Sequence, residues 1–267
     1  MTLAHAGELV AGAAARDGAV VAFNVITLEH AEAIMAAAED LGSPVILAVS
    51  ENAVRYHEGR MAPMLAACVA LASAADVPVG LHLDHLTDDA LVGEALGAPI
   101  TSLMYDAGAL PYTENLEKTR SAARRAHDAG LWVEAELGFV GGKPGPVLSA
   151  HQAGVRTDPD EAADFVAATE VDALAVAIGS THAMTTRSSQ LDLDLVARLH
   201  ERLDVPLVLH GSSGVPLDQL CDSVRAGITK VNIGTALNIA LTGAVRGALT
   251  DAELVDPRQW LAPSVLK

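Results

Sequence analysis

Three histidines follow apolar, β-branched segments that are typical of buried strands. His85 ends the segment VPVGLHLDH, His182 follows LAVAIGST, and His210 ends VPLVLH. A catalytic zinc ion is held by three protein ligands such as neutral imidazoles and keeps a further position open for substrate. If the three segments are strands whose carboxyl ends meet at one rim, as in a barrel, the sequence predicts a metal site there.

Two turns rich in glycine and hydroxyl groups follow the last two predicted strands. Their small and polar members are Gly211, Ser212, Ser213, Asn232, Gly234 and Thr235. Loop amides and helix N-termini attract phosphate, and barrels commonly bind phosphate after strands seven and eight. The two turns therefore predict a phosphate-binding site next to the metal.

Short β-branched segments alternate with Ala-rich segments of helical period. The predicted strands span 20–25, 44–50, 77–84, 100–106, 131–137, 171–178, 205–211 and 228–234. Predicted helices include 28–41, 88–96, 113–129, 160–168, 193–203 and 217–226, and the apolar run 61–75 predicts a buried helix. Eight strand–helix units in 267 residues predict a (β/α)8 TIM barrel that forms a single domain over 1–267. The alternative is a doubly wound open sheet, but that fold requires a glycine fingerprint after the first strand, and 23–27 offers none.

A barrel gathers the polar residues at its strand ends into one site, however far apart they lie in the sequence. Such residues stand at or beside the predicted ends: Asn24, Ser50, Asp84, Asp106, Glu134, Glu136, Ser180 and Asn232. Glu136 or Asp106 would contact the metal or hold a second cation; alternatively, each forms a salt bridge or caps a loop. His82 lies below the rim on the strand of His85, so we expect it to support the site.

Acidic residues outnumber basic residues in this chain. The 34 Asp and Glu against 17 Lys and Arg give a formal charge of −17, which argues against nucleic acid or an anionic membrane as partner. No charged-then-apolar leader opens the sequence, and Cys68 and Cys221 have no metal-type spacing. We therefore expect a cytoplasmic protein, in which a metal and backbone amides would attract an anionic substrate.

A set of ordered segments carries a resemblance to a known family. The segments are AFNV, PVILAVSENAVRYHEG, VPVGLHLDH, VEAELGFVGG, TDPDEAADFV, VDALAVAIGSTH, VPLVLHGSSG and GITKVNIGT, between about residues 22 and 245. Together they resemble the class II, zinc-dependent ketose-bisphosphate aldolases, which include the fructose-1,6-bisphosphate and tagatose-1,6-bisphosphate aldolases.

The resemblance implies a reaction and the residues that perform it. His85, His182 and His210 would bind the catalytic zinc, and Glu136 matches a carboxylate near the metal. Asp84 would handle the proton on the C4 oxygen. The dihydroxyacetone-phosphate half would contact Gly211, Ser213, Asn232 and Thr235, with Asn24 and Ser50 along the substrate. The implied reaction is the reversible cleavage of a phosphorylated ketose into dihydroxyacetone phosphate and an aldehyde, with the glycolytic fructose 1,6-bisphosphate as default substrate.

Some positions depart from the family pattern. Lys143 and Pro144 stand where a mobile loop usually carries acids, one of which exchanges the proton at C3. Substitutes for that base would be His151, Glu134 or Asp158. Ala183 replaces a glycine, and Gly234 stands where fructose-type members often have Asp. These changes leave the identity of the sugar open, and it could also be tagatose 1,6-bisphosphate or a ketose monophosphate. The candidates for a second phosphate site are Arg55, Arg187 or an arginine from a neighbouring subunit.

The Gly- and Pro-rich segment 141–158 is the longest irregular connection, and we expect it to be an active-site lid.

The resemblance to the class II aldolases also implies that the protein assembles as a homodimer or homotetramer.

Three rival functions remain at this stage. A Schiff-base aldolase requires a lysine in the barrel mouth, but Lys230 is the one lysine on a predicted strand and fits an internal ion pair better. A metal hydrolase would use the same three histidines without needing the glycine–serine turns. A sugar-phosphate-binding homologue with impaired catalysis would account for Pro144.

Overall fold

Eight parallel strands form a closed barrel in the order in which they occur along the chain. The computed structural model describes residues 3–138, 140, 156–250 and 255–261. The strands are β1 (Val20–Asn24), β2 (Val45–Ser50), β3 (Val79–Leu86), β4 (Ser102–Tyr105), β5 (Trp132–Leu137), β6 (Ala173–Val176), β7 (Leu207–Leu209) and β8 (Ile228–Ile233). The barrel closes through pairing of β8 with β1. The predicted TIM barrel is confirmed.

The described part of the chain also contains eleven α-helices, most of which follow a strand around the outside of the barrel. They are α1 (Ala6–Ala14), α2 (Leu28–Leu41), α3 (Glu51–Tyr56), α4 (Ala62–Ala74), α5 (Asp89–Ala95), α6 (Tyr112–Asp128), α7 (Pro159–Thr169), α8 (Leu193–Arg202), α9 (Leu217–Ala226), α10 (Thr235–Ala248) and α11 (Pro257–Trp260). A short 3-10 turn, Ser212–Gly214, lies between β7 and α9. In the described part of the chain, no helix is both long and apolar enough to cross a membrane.

The strands are buried on both faces, and their residues alternate between two apolar clusters. Ile46 and Ala48 belong to an inner cluster that also contains Trp132. Leu47 and Val49 belong to the larger cluster that the outer helices cover. Helices that cover the outside of a parallel sheet explain why its strands have nearly continuous apolar sequences.

Side-chain caps determine where several of the helices begin. Asp88 accepts a hydrogen bond from the backbone amide of Ala90, and Asp192 accepts one from Leu195. Each carboxylate satisfies an amide that has no partner within its own helix. For this reason, the predicted starts of α5 and α8 lie within one residue of the observed starts.

Helix α1 closes the N-terminal end of the barrel. Its buried residues Leu9 and Val10 pack into the inner cluster with Trp132. A Cβ atom on Gly7 would lie 2.9 Å from the Trp132 ring, so the close approach of this helix requires glycine. Sequence reasoning did not predict α1, because the segment pairs with no strand that could mark it as part of the strand–helix alternation.

All eight predicted strands are present, with ends that differ from the prediction by at most two residues. The apolar run 61–75 forms α4, as predicted. Helix α10 was not among the predicted helices, and it is the most exposed of the long outer helices. None of its residues is buried, and Ile239 and the C-cap residue Leu249 are about half exposed.

Candidate metal centre and active site

A bulge at the end of β3 brings two consecutive side chains to the barrel mouth. Asp84 pairs in register with Ser50 of β2, but the pairing of β3 with β4 shifts between Leu83 and Leu86. His85 lies inside this shift with φ +52°, a left-handed conformation that costs an L-residue about 1–2 kcal/mol. Bulges of this kind redirect side chains next to active sites. Asp84 and His85 therefore share one site although they are neighbours in a strand.

The three predicted ligand histidines lie together. The ring centroid of His85 is 5.1 Å from that of His182 and 4.8 Å from that of His210, and the last two rings are 5.9 Å apart. Glu136 joins them, and one potential ligand atom from each of the four residues lies within 4.8 Å of the others. Three imidazole nitrogens and a carboxylate oxygen form a donor set that fits zinc.

Asp106 lies behind His85 rather than in this cluster. Its Oδ2 is 2.8 Å from His85 Nδ1, and its Oδ1 accepts a hydrogen bond from the amide of Gly108. A carboxylate on one ring nitrogen fixes the tautomer of an imidazole and leaves the other nitrogen available to a metal. In this arrangement, Asp106 orients the ring of His85 so that Nε2 can act as the ligand.

Two buried carboxylates flank the ring of His210. Glu136 Oε2 is 3.0 Å from Nδ1, and Glu134 Oε1 is 2.7 Å from Nε2. Burial opposes protonation of this ring, but the two carboxylates outweigh it and raise the pKa of His210 to about 9. A metal ligand must be a neutral imidazole, so metal binding would release this proton.

Sequence reasoning placed Glu134 at the rim without giving it a role at the metal. Burial would raise the pKa of Glu134, but the charge of Lys230 and the contact with His210 lower it to about 2. Lys230 Nζ donates a hydrogen bond of 2.7 Å to Glu134 Oε2, which agrees with the predicted internal ion pair. The sequence feature that could have assigned Glu134 to the metal site is its spacing from Glu136, because residues two apart in a strand face the same side.

Asp84 is held by amide donors from two other strands. Asn24 Nδ2 donates to Asp84 Oδ2 at 3.0 Å, and Asn232 Nδ2 donates to Oδ1 at 3.4 Å. Burial would raise the pKa of Asp84, but the charge of His85, with smaller contributions from His82 and His210, holds it well below its usual range. Asp84 is therefore an ionised carboxylate that can accept a proton.

His82 lies beneath Asp84 in the barrel interior and is fully buried. Its Nδ1 is 2.8 Å from the hydroxyl of Ser102, and its Nε2 is 3.8 Å from Asp84 Oδ1. This position agrees with the expected supporting role.

The two predicted phosphate turns lie side by side. Gly211 has φ +65°, and a Cβ atom there would lie 2.8–2.9 Å from the backbone of Thr181, next to His182. The Ser212 hydroxyl donates to the carbonyl oxygen of Asn232, which connects the two turns. Ser213 Oγ accepts a hydrogen bond of 3.0 Å from the amide of Ala236, in the first turn of α10.

Helix α10 begins at this point. Its N-cap is Gly234 and its first residue is Thr235. A Cβ atom on Gly234 would lie 3.3 Å from Cβ of Asn24, so the turn after β8 packs closely against the end of β1. The N-terminus of this 14-residue helix, beside Asn24 and the turn that carries Ser213, can attract an anionic group such as phosphate.

Ser50 lies at the end of β2, in register with Asp84. Its Oγ accepts a hydrogen bond of 3.2 Å from the amide of Ala53 and so caps α3.

Comparison with known proteins identifies the family. The family model described as fructose-bisphosphate aldolase class-II matches residues 4–267. The chain belongs to this family. It is a metal-dependent class II aldolase, a carbon–carbon lyase whose family acts on ketose phosphates, and the predicted resemblance is confirmed.

Individual relatives of this class II aldolase agree in sequence and in fold. The chain is 37% identical over 265 residues to a fructose-bisphosphate aldolase of Geobacillus stearothermophilus, with 98% of this chain and 92% of the relative covered. The structure is similar to that of the YdjI aldolase of Escherichia coli, with a TM-score of 0.85, 32% identity, and coverage of 100% of this chain and 94% of the other. A fructose-bisphosphate aldolase of Campylobacter jejuni shares the fold, with a TM-score of 0.79 at 22% identity and coverage of 99% and 91%.

The departures from the family pattern have different structural settings in this aldolase. Ala183 has φ +58°, so an L-residue occupies a conformation that favours glycine. Lys143, Pro144 and His151 lie outside the described residues, as does most of the predicted lid, residues 141–155. Asp158 caps α7 by accepting hydrogen bonds from the amides of Asp160 and Glu161, so it already has a structural function.

The two candidate arginines for a second phosphate differ in their surroundings. Arg55 pairs with Glu51, a buried carboxylate that also accepts hydrogen bonds from the amides of Thr87 and Asp88. Arg55 is thus part of a scaffold between the β2 and β3 loops of the aldolase. Arg187 is exposed in the loop after β6.

Proposed function

We propose that this class II aldolase uses zinc to cleave a phosphorylated ketose reversibly into dihydroxyacetone phosphate and an aldehyde, with fructose 1,6-bisphosphate as the default substrate. The observation that carries the proposal is the β3 bulge, which sets the ionised Asp84 carboxylate beside a cluster of three imidazoles and Glu136. The name of the Geobacillus relative supports the choice of sugar.

Asp84 is the proposed catalytic base. In the cleavage direction, its carboxylate accepts the proton from the C4 hydroxyl, and in synthesis it returns that proton to the aldehyde oxygen. The amides of Asn24 and Asn232 hold the two carboxylate oxygens, so the base is oriented before substrate arrives.

His85, His182 and His210 are the proposed zinc ligands, with Glu136 as a fourth. Bound zinc would act as a Lewis acid that stabilises the negative charge left on the substrate when the C3–C4 bond breaks. Asp106 and Glu134 orient two of the ligand rings, and oriented ligands are the usual condition for tight metal binding. An additional monovalent or divalent cation near the carboxylates remains a prediction.

The phosphate of the dihydroxyacetone half is proposed to bind between the two turns after β7 and β8. Gly211, Ser212, Ser213, Asn232, Gly234 and Thr235 would supply amides and hydroxyls there. The Ser212 hydroxyl is engaged with the backbone of β8, so its amide is the group proposed to face the phosphate. Asn24 and Ser50 would lie along the rest of the substrate.

A panel of ketose phosphates tests the proposal. The purified protein, with and without a zinc chelator, is incubated with fructose 1,6-bisphosphate, tagatose 1,6-bisphosphate and ketose monophosphates, and release of dihydroxyacetone phosphate is measured. We expect chelator-sensitive cleavage that zinc restores. Cleavage of tagatose 1,6-bisphosphate or a monophosphate alone would replace the default substrate, and binding without cleavage would indicate the impaired homologue. Hydrolysis of a phosphate ester or amide without carbon–carbon cleavage would overturn the proposal.

A cytoplasmic homodimer or homotetramer remains the expected assembly. The exposed apolar residues of α10 and its C-cap, Ile239 and Leu249, support association, because a helix with a single charged side chain normally packs against another surface. Light scattering of the purified protein at micromolar concentration would give its mass, and a monomer would contradict this expectation.

A further inference from the structure

Lys230 is a fully buried cation in β8, beneath the candidate metal centre. Its Nζ donates two hydrogen bonds of 2.7 Å, one to Glu134 Oε2 and one to Asn232 Oδ1. The ion pair with Glu134 explains how the charge is tolerated in the barrel interior. It does not explain the second bond, to a neutral side chain that the proposed function places at the substrate.

The bond to Asn232 fixes which end of that amide faces the site. An ammonium group has donors and no acceptor, so the atom that faces Lys230 must be the amide oxygen. The amino group then points to the opposite side, where Nδ2 lies 3.4 Å from Asp84 Oδ1 and 3.1 Å from His210 Nε2. Without Lys230, nothing would hold the amide oxygen on that side, and the amide would be free to turn over and place its oxygen beside Asp84 Oδ1.

We propose that Lys230 is a positioning residue for aldol cleavage, which holds the Asn232 amide with its N–H donors directed at Asp84 and the substrate. The expected effect of Lys230 on the rate of cleavage rests on the proposed function. An N–H donor aimed at developing negative charge stabilises it, whereas a carbonyl oxygen in the same place repels it. The alternative is that Lys230 only balances the charge of Glu134.

The variant that separates the two roles is Lys230→Met/Glu134→Gln. It removes the lysine and the carboxylate together, so no unpaired charge is left in the interior and the barrel can fold. The Glu134→Gln substitution retains a side-chain oxygen that can accept a hydrogen bond from His210 Nε2, so the ring keeps its orientation. Lys118→Met is the control, because Lys118 forms an exposed ion pair with Asp89 on the outer surface.

The first measurement is zinc affinity, by competition with a chromophoric chelator. We expect the double variant and the control to bind zinc within about threefold of the parent, because the His210 hydrogen bond is retained. A loss of more than about tenfold in the double variant would mean that the Lys230–Glu134 pair acts through the metal ligand His210, and it would overturn the proposal.

The second measurement is the steady-state kinetics of cleavage. We expect kcat of the double variant to fall by about 10–100-fold with KM within about threefold, since the lost interaction is made mainly in the transition state. In an Asn232→Ala background, the same pair of substitutions should lower kcat by less than about threefold, because Lys230 then has no amide to position. An unchanged kcat, or an equal fall in the Asn232→Ala background, would overturn the proposal.

A crystal structure of the zinc-loaded double variant shows the conformation of the Asn232 side chain without any substrate. We expect the Asn232 side chain to leave its contacts with Asp84 and His210 or to occupy two conformers. An unchanged single conformer would overturn the proposal. If the parent protein cleaves no ketose phosphate while Asn232 turns as expected, the proposed function fails and the positioning role of Lys230 stands.

Discussion

The candidate site has two halves that are built differently. The strand-borne half consists of Asp84 and His85 in β3 and of His210 directly after β7. Carboxylates or amides in or directly after other strands hold each of these side chains. The loop-borne half is the segment 179–190 after β6, which carries His182 in a turn. Here the backbone has left-handed residues at Gly179 and Ala183, and 185–188 is exposed.

Both halves are held by contacts with other parts of the barrel. In the strand-borne half, side-chain hydrogen bonds across the barrel orient each group. In the loop-borne half, the backbone next to His182 rests against Gly211, where a Cβ atom would collide with Thr181. Substitutions in the strand-borne half, in the loop-borne half and at the junction between them test this comparison.

Asp84→Asn should have the largest effect, since it removes the proposed base without removing a side chain from the strand-borne half. We expect kcat for aldol cleavage to fall by about 10²–10⁴-fold, the usual contribution of a positioned acid–base group. Zinc content, measured by atomic absorption, should be unchanged. Asp88→Asn, which keeps an acceptor at the cap of α5, is the control and should retain parent activity.

Gly211→Ala tests the junction between the halves. The new methyl group would meet the Thr181 backbone and would occupy a left-handed conformation, so the free energy of unfolding should fall by about 2–4 kcal/mol. Gly42→Ala is a matched control, because Gly42 has φ +59° and nothing within 4 Å of its Cβ position. It should cost only about 1 kcal/mol in urea denaturation. Equal losses in the two variants would mean that contact with Thr181 does not hold the loop.

Asp106→Ala tests ring orientation in the strand-borne half. Removing the carboxylate from His85 Nδ1 should lower zinc affinity by about 10–100-fold, measured by chelator competition. Asp106→Asn retains an oxygen acceptor and should lose less. If both variants bound zinc as tightly as the parent, the contact with Asp106 would not be what orients the ring of His85 for zinc binding.

Ala183→Gly should have the smallest effect, and it should increase the free energy of unfolding, whereas Gly211→Ala should decrease it. Glycine relieves the left-handed strain next to His182, so we expect a gain of up to about 1 kcal/mol in stability. Ala15→Gly, at an exposed helix end with φ −62°, has no strain to relieve and should lose stability. A loss in both variants would show that the backbone of the loop-borne half is unstrained.

The strand-borne half could be predicted from the sequence because two simple rules determine it. Alternation along a strand assigns Glu134 and Glu136 to one face, and barrel closure brings the strand ends together. Asp84 and His85 are neighbours in β3, and the bulge between Leu83 and Leu86 is what brings both side chains to one site. The pairing of Glu134 with His210 could not be predicted, since it depends on side-chain distances across the barrel.

The loop-borne half was predicted by residue type but not by geometry. His182 was recognisable as a ligand candidate because it follows a strand. The left-handed turn at Ala183 could not be predicted, because alanine does not indicate a positive φ. Helix α1 escaped prediction because its role depends on Trp132, more than 100 residues away in the sequence. Long-range contacts of this kind carry no local signal.

Helix α1 and Trp132 affect how buried side chains of the barrel exchange hydrogen with solvent. They close the floor of the barrel with apolar side chains, and above that floor lie the buried polar groups of His82, Glu134 and Lys230. In the part of the chain that the structure describes, this apolar floor separates the three groups from the N-terminal end of the barrel, so the mouth is the expected route for water as well as for substrate. A substrate bound in the mouth would cover that route, so hydrogen exchange of these buried side chains with solvent should slow while substrate is bound.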